Sequence, residues 1–163
     1  MKRGITRRER EVTDPAQILD ILNKSKIVHI GLVDGDEPYV VPMNYGFTME
    51  EGRLTLYLHG AKKGRKLDVI RANPKVFFSL ECDVQPIEGD VACRYGTAYA
   101  SVMGSGTAHI LEDSTSKQEG LSIIMKTQTG QDFTFDEKMS SIVSVIRIDI
   151  ADYTAKCRPM PTM

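Results

Sequence analysis

The sequence contains no apolar run approaching the roughly 20 residues a helix needs to cross a bilayer, no marked excess of either charge, and no close pair of cysteines. Each absence closes off a class of function. Without a spanning run, no membrane helix is expected. With 21 basic and 22 acidic side chains the chain lacks the basic face that general nucleic-acid and anionic-membrane binders carry. Cys82, Cys93 and Cys157 are odd in number and widely spaced, which suits reduced thiols and argues against a disulfide framework or a metal site. The cytoplasm is the expected compartment. The opening Met1-Lys2-Arg3-Gly4-Ile5-Thr6-Arg7-Arg8 is basic with no apolar stretch behind it, which is not a secretory signal pattern. There is no internal repeat, linker or low-complexity tract, so residues 1–163 read as a single domain. A chain of this size buries roughly 70% of its unfolded surface.

What is present is strand pattern punctuated by turns. Lys26 to Val33 is β-branched and alternating, and Asp34-Gly35-Asp36-Glu37 turns it back. Tyr39 to Phe47 reads as a second strand interrupted by Pro42, and Leu54 to His59 as a third, three antiparallel strands in succession. Pro42 removes a ladder donor, so its strand belongs at an edge or carries a bulge, with backbone exposed to a ligand. Val76 to Leu80, Ala98 to Leu111 and Ser144 to Ile150 continue the pattern, with a bend or bulge at Gly104-Ser105-Gly106.

Helices are short. Asp14-Pro15-Ala16-Gln17 has the form of a capped helix start, with Gln17 able to reach back to the cap backbone. Leu67 and Ile70 mark a helix ending at Asn73-Pro74, and Ser116-Lys117-Gln118-Glu119 resembles a capping box opening a helix to about Thr127. Asp83 to Gly96 is the expected flexible loop. The expected fold is mainly β: an antiparallel barrel of about six strands with a few short helices.

One segment is electrostatically odd. His59-Gly60-Ala61-Lys62-Lys63-Gly64-Arg65-Lys66 places four cations where a strand ends and a helix begins. A helix N-terminus carries about half a positive charge, so cations there are repelled unless an anion compensates. A bound phosphate resolves the conflict, with Gly60 and Gly64 letting backbone N–H groups approach it; a solvated basic turn is the alternative. The spacing is not that of a Walker A loop, and Gly104-Ser105-Gly106 is not a dinucleotide fingerprint.

Taken together, Arg8 to Asp14, Pro38 to Tyr45, Leu56 to Ala61 with Gly64 to Leu67, and Asn73 to Val76 resemble the FMN-binding split barrels related to pyridoxamine-phosphate oxidase. Within them the match is to the nitroimidazole-reductase (nitroimidazole resistance) branch. Tyr99 to Val102 followed by Gly106 adds to the match. The resemblance implies a homodimer with FMN at its interface, Pro42, Met43, Asn44 and Tyr45 bordering the isoalloxazine and ribityl groups. It implies a phosphate held around Gly60, Ala61, Lys62, Lys63, Arg65 and Lys66, with Lys66 and then Lys63 the first candidates, and Ser101 on the phosphate or ribityl hydroxyls.

His59 would then stand near flavin or substrate as a proton or hydrogen-bond donor, or else be a strand-end histidine satisfied by backbone. His29 and His109 read as structural. Lys156-Cys157-Arg158-Pro159 is expected to be a solvated basic tail, with reach to the partner's flavin as the alternative. The activity implied is an FMN-dependent oxidoreductase taking electrons from NADH or NADPH to a small acceptor such as a nitroaromatic compound. The C-terminal end has no Arg-x-His pair of the kind pyridoxamine-phosphate oxidation implies. Three other readings stand beside it: a non-enzymatic flavin carrier or redox sensor, the same barrel holding haem or deazaflavin, and an RNA-binding loop, which clustered aromatics would have to support.

Overall fold

The computed structural model describes residues 4–162; Met1, Lys2 and Arg3 of the basic opening and Met163 lie outside the described residues. After β1 (Glu11–Val12), helix α1 (Pro15–Lys24) starts as its sequence predicts, Asp14 accepting the Ala16 N–H at 3.3 Å. Gln17 makes no bond back to the cap among the described residues. The helix buries Ile18, Ile21 and Leu22.

The strands are β2 (Ile27–Asp34), β3 (Glu37–Asn44), β4 (Gly46–Glu50), β5 (Arg53–Gly60), β6 (Lys75–Ile87), β7 (Gly96–Leu111) and β8 (Ser144–Arg158). With β1 they form one eight-stranded antiparallel sheet rather than the expected six strands, in the order β3-β2-β6-β7-β8-β5-β4, with β1 added on β8. The alternating patterns place Val28, Ile30, Leu56, Leu58, Phe78, Leu80, Val102, Ile146 and Ile148 on the inner face, nearly all without solvent exposure.

Tyr39 to Phe47 is not one strand. It breaks at Tyr45 into β3, paired with β2, and β4, paired with β5, so the successive meander of three strands does not form. β3 and β4 stand at opposite ends of the sheet order, yet a single residue joins them. The sheet is thereby drawn round into a barrel, and the chain itself bridges the split. Tyr45 is fully buried, and its hydroxyl donates to the Leu22 carbonyl at 2.5 Å. That carbonyl is one of the last-turn acceptors of α1 with no helical partner; its neighbour, the Asn23 carbonyl, takes the Lys26 ammonium at 2.8 Å. Burial pushes the Tyr45 phenol well above its ordinary range, so it stays a donor at any working pH.

α2 (Arg65–Ala72) ends before Pro74 as expected and buries Leu67, Val69 and Ile70. α3 (Ser114–Thr129) begins three residues earlier than the Ser116 capping box suggests: Asp113 is the cap, accepting the Ser116 N–H at 2.8 Å. A further short helix, α4 (Glu137–Ser141), has no counterpart in the sequence reading. The expected Asp83–Gly96 loop is shorter than its sequence suggests, because β6 continues through a register shift at Cys82/Gln85 as far as Ile87. The expected bulge near Gly104-Ser105-Gly106 falls between Ser105 and Gly106 in the β7–β8 ladder. Lys156, Cys157 and Arg158 are not a tail: they are half-buried residues of β8 paired with Ser101, Ala100 and Tyr99.

Three measurements test this frame. Tyr45→Phe leaves the Leu22 carbonyl without its donor and should cost about 1–3 kcal/mol in urea unfolding, with the far-UV spectrum unchanged. A Cβ on Gly46 would stand 2.5 Å from the backbone of Ile124; Gly46→Ala should therefore push α3 off β4 and destabilise by at least the 1–3 kcal/mol of ordinary overpacking. The Ser116 N–H holds the Asp113 carboxyl below its usual range. Its cap then contributes above the ordinary carboxylate pKa and fades as pH falls through the lowered one. Asp113→Ala should melt lower than the parent at neutral pH, and the gap should close under acid.

Candidate functional site

β3 is an edge strand, the first of the two placements Pro42 allows: it pairs with β2 on one side, and its other side passes β5 without ladder bonds. Met43 and Gly60 face each other across this seam. A Cβ built on Gly60 would lie 2.9 Å from the Lys66 Nζ and 4.0 Å from the Met43 Cε, so the missing side chain makes the space that the Lys66 ammonium enters. Lys66 is half-buried and has no ion pair among the described residues. A cation aimed at an unladdered seam between two strands is the central feature of the site.

The loop that delivers Lys66 is pinned from below. Ser144, buried at the start of β8, has its hydroxyl 2.8 Å from the Ala61 carbonyl and 3.3 Å from that of Gly60. Gly64 takes φ of +149°, open to glycine, and starts α2, whose N-terminus has no side-chain cap. α1, α3 and α4 each have an aspartate there. The first amides of α2 are therefore without the carboxylate that the other helices supply.

The four loop cations separate. Arg65 is engaged by the β2–β3 hairpin: its Nε donates to Asp34 at 2.8 Å and its terminal nitrogen to Glu37 at 3.1 Å, and its guanidinium lies 4.4 Å from the centre of the Tyr39 ring. The Asp34 carboxylate raises the Arg65 pKa further. Lys63 is exposed. Lys62 is exposed too and lines a separate cavity of about 330 Å³ against α3 and α4. Lys66 alone of the four stands at the seam.

On the β3 side, Pro42 is exposed opposite His29. Asn44 is exposed, but its amide already donates to the Lys26 carbonyl at 3.2 Å and to the Gln128 side chain at 3.4 Å. The Tyr45 side chain points into the core, leaving its carbonyl, which accepts from Gln128 Nε2 at 2.8 Å, as its outward group. Ser101 lies three strands from β3, half-buried between Glu81 and Lys156, away from the Met43–Gly60 seam in sheet order. His59 ends β5 exposed, with no hydrogen bond or ion pair among the described residues. His29 and His109 face Glu81 at 3.7 Å and Asp149 at 3.2 Å respectively, as surface pairs.

Sequence reasoning missed Ser144, Gln128 and the Asp34–Glu37–Tyr39 clamp on Arg65. Ser144 stands at the head of a strand pattern, and only the β5–β8 register brings it under the loop. The clamp had a local signal, the acidic turn after β2, whose distance in space from Arg65 the sequence does not contain.

A family model described as pyridoxamine 5'-phosphate oxidase matches residues 14–157. No curated protein matches the chain. Among solved structures, a candidate 5-nitroimidazole antibiotic resistance protein of Bacteroides thetaiotaomicron is similar at 27% identity and TM-score 0.76, covering 90% of this chain and 85% of its own. The flavocytochrome Anf3 of Azotobacter vinelandii shares the fold at 20% identity and TM-score 0.77, over 98% of this chain and 74% of its own. An FAD- and haem-binding protein of Mycobacterium smegmatis does so at 16% identity and TM-score 0.76, over 94% and 76%. With the barrel, its seam and a match over nearly the whole sequence in agreement, this chain belongs to the pyridoxamine 5'-phosphate oxidase family.

Proposed function

We propose that the chain is an FMN-dependent oxidoreductase that works as a homodimer. The observation that carries the reading is the Lys66 ammonium placed beside Gly60 and Met43 at a seam where β3 offers unpaired backbone. A flavin phosphate fits this loop on three counts: Lys66 has no ion pair, Gly60 leaves room that any side chain would fill, and the first amides of α2 are uncapped. Charge-assisted bonds of this kind contribute about 1.5–3 kcal/mol each, so Lys66 is the main anchor. Lys63 and Lys62 stand in solvent nearby as further cations.

The backbone and side chains of Pro42 and Met43 would border the ring; Asn44 and Tyr45 support that edge through Lys26, Gln128 and the core rather than from their own side chains. Arg65 holds the loop to the β2–β3 hairpin. FMN would supply the electron or hydride transfer itself, and the chain's part is to bind, orient and exclude water. A second copy would close the open side of β3, since an edge strand with exposed backbone is readily covered by association. His59, exposed and unpaired at the end of β5, is the group available to give a proton to a bound acceptor.

The electron donor proposed is NADH or NADPH. The acceptor proposed is a small molecule such as a nitroaromatic compound, supported by the likeness to the Bacteroides protein. One observation favours a second reading, a flavin carrier without turnover: His59 has no acid or base partner beside it among the described residues.

Purified protein mixed with FMN and passed through gel filtration should elute as a dimer with a flavin spectrum. Lys66→Ala should weaken FMN at least about tenfold, the lower end of one charge-assisted bond. Turnover of NADH or NADPH with a nitroaromatic acceptor separates the enzyme from the carrier, and His59→Ala should lower that turnover with FMN still bound. Retention of FAD or haem in place of FMN would overturn the cofactor assignment.

A further inference from the structure

The β5–α2 loop faces a second space. Its Lys62 lines a cavity of about 330 Å³ together with the end of β7 at Leu111 and Glu112, the start of α3 at Ser114 and Lys117, and Glu137, Ser140 and Ser141 of α4. Neither Lys66 nor Met43 borders it.

Its lining is graded by depth. Lys62, Glu112, Glu137 and Ser141 are exposed at the rim, where water and salt screen their charges. Lys117 and Ser140 are buried, with relative exposures of 9% and 1%, and Ser114 is half-buried. Lys117 has no carboxylate within 4 Å and no side-chain hydrogen bond among the described residues. Its stem is buried, whereas its ammonium is not among the buried polar atoms left without a partner in the described residues, so its tip reaches the water of the cavity, where a ligand can meet it. Glu112 and Glu137 share the cavity yet neither pairs with it.

One hydroxyl beside it is set to donate. Gln118 Nε2 donates to the Ser114 oxygen at 2.8 Å, and the two serine oxygens of Ser114 and Ser140 are 3.2 Å apart. The Ser140 hydroxyl donates to the Glu137 carbonyl at 3.1 Å, which leaves the single Ser114 hydrogen free to turn from Ser140 to a bound acceptor. An unpaired ammonium at the end of a buried stem, with a hydroxyl donor beside it, is complementary to an oxyanion. A rim carrying both signs admits a ligand with further polar groups.

We propose that this cavity is a binding site for a small oxyanion, a phosphate or carboxylate group, held by Lys117 and Ser114 with Lys62 at its mouth. Its geometry is independent of the flavin reading. It is a second place for an anion on the same loop, so a substrate bearing a phosphate or carboxylate can anchor there without competing for Lys66.

The test is titration of the whole protein with inorganic phosphate, followed by amide NMR shifts at Ser114, Lys117 and Ser140. Saturable shifts are expected, about tenfold weaker in Lys117→Met, weaker in Ser114→Ala, and changed less than about twofold in Lys66→Ala. Both cavity variants should keep the parent's far-UV spectrum, and Ser114→Ala, a smaller change, decides the matter where Lys117→Met does not fold. The same shifts should persist after FMN is added to saturation. Absence of saturable shifts, or shifts unaffected by both cavity variants, would overturn the site. Loss of the shifts on adding FMN would also overturn it, since the cavity would then belong to the flavin's own phosphate. A protein that takes up no FMN leaves the first titration decisive, so the two readings fail separately.

Discussion

A single residue between two strands governs this structure. Tyr45 sits between β3 and β4, which occupy opposite ends of one sheet, and its buried hydroxyl ties that crossing point to the last turn of α1. An open eight-stranded sheet would leave two long edges of unpaired backbone. Passing one chain segment from one edge to the other brings those edges together without a ladder between them, and α3 packs over β4. What remains is the stretch of β3 that passes β5 without ladder bonds, and there the chain places glycine, methionine and a lysine ammonium. The split in the barrel and the candidate site are the same feature.

Three other contacts hold the crossing in place. Lys26 reaches the Asn23 carbonyl and the Thr127 carbonyl, both at 2.8 Å, and so links α1 to α3. Gln128 returns from α3 to the Lys26 and Tyr45 carbonyls. Thr127 Oγ1 accepts the Phe47 N–H at 3.2 Å, fixing the first residues of β4. Each bond satisfies a backbone group that the break in the strand or the end of a helix would leave unpaired. The helices are thus not a covering added to the barrel: they supply the partners that make its break tolerable.

The cation-rich loop shows how charge of one sign can be concentrated without mutual repulsion deciding its shape. Arg65 turns to the acidic β2–β3 hairpin and the Tyr39 ring, Lys66 to the seam and Lys62 to the cavity under α3 and α4. Distributing four cations over different surroundings lowers the like-charge cost, and each is left with a different capacity for a ligand. Arg65, bonded to two carboxylates, is a positioning group. Lys66 at the seam and Lys117 in the cavity have no carboxylate in reach among the described residues. Likeness to flavoproteins of low identity reflects the fold alone.

Local rules made much of this legible beforehand. Alternation placed six strand regions because period two is an intrinsic property of a strand with one buried face, and Pro42 marked an edge because proline lacks a donor wherever it stands. Asp14 and Asn73-Pro74 bounded helices for equally local reasons. The anomaly at Lys62 to Lys66 was legible because helix ends carry charge in any fold. The break at Tyr45 was not, since its flanks alternate as one strand would, and only the acceptors on α1 and the two different pairing partners make it favourable. The role of each loop cation was hidden for the same reason: the sequence determines how many charges a segment holds, whereas which partner each finds depends on the register of strands distant along the chain, and register exists only once the barrel has closed.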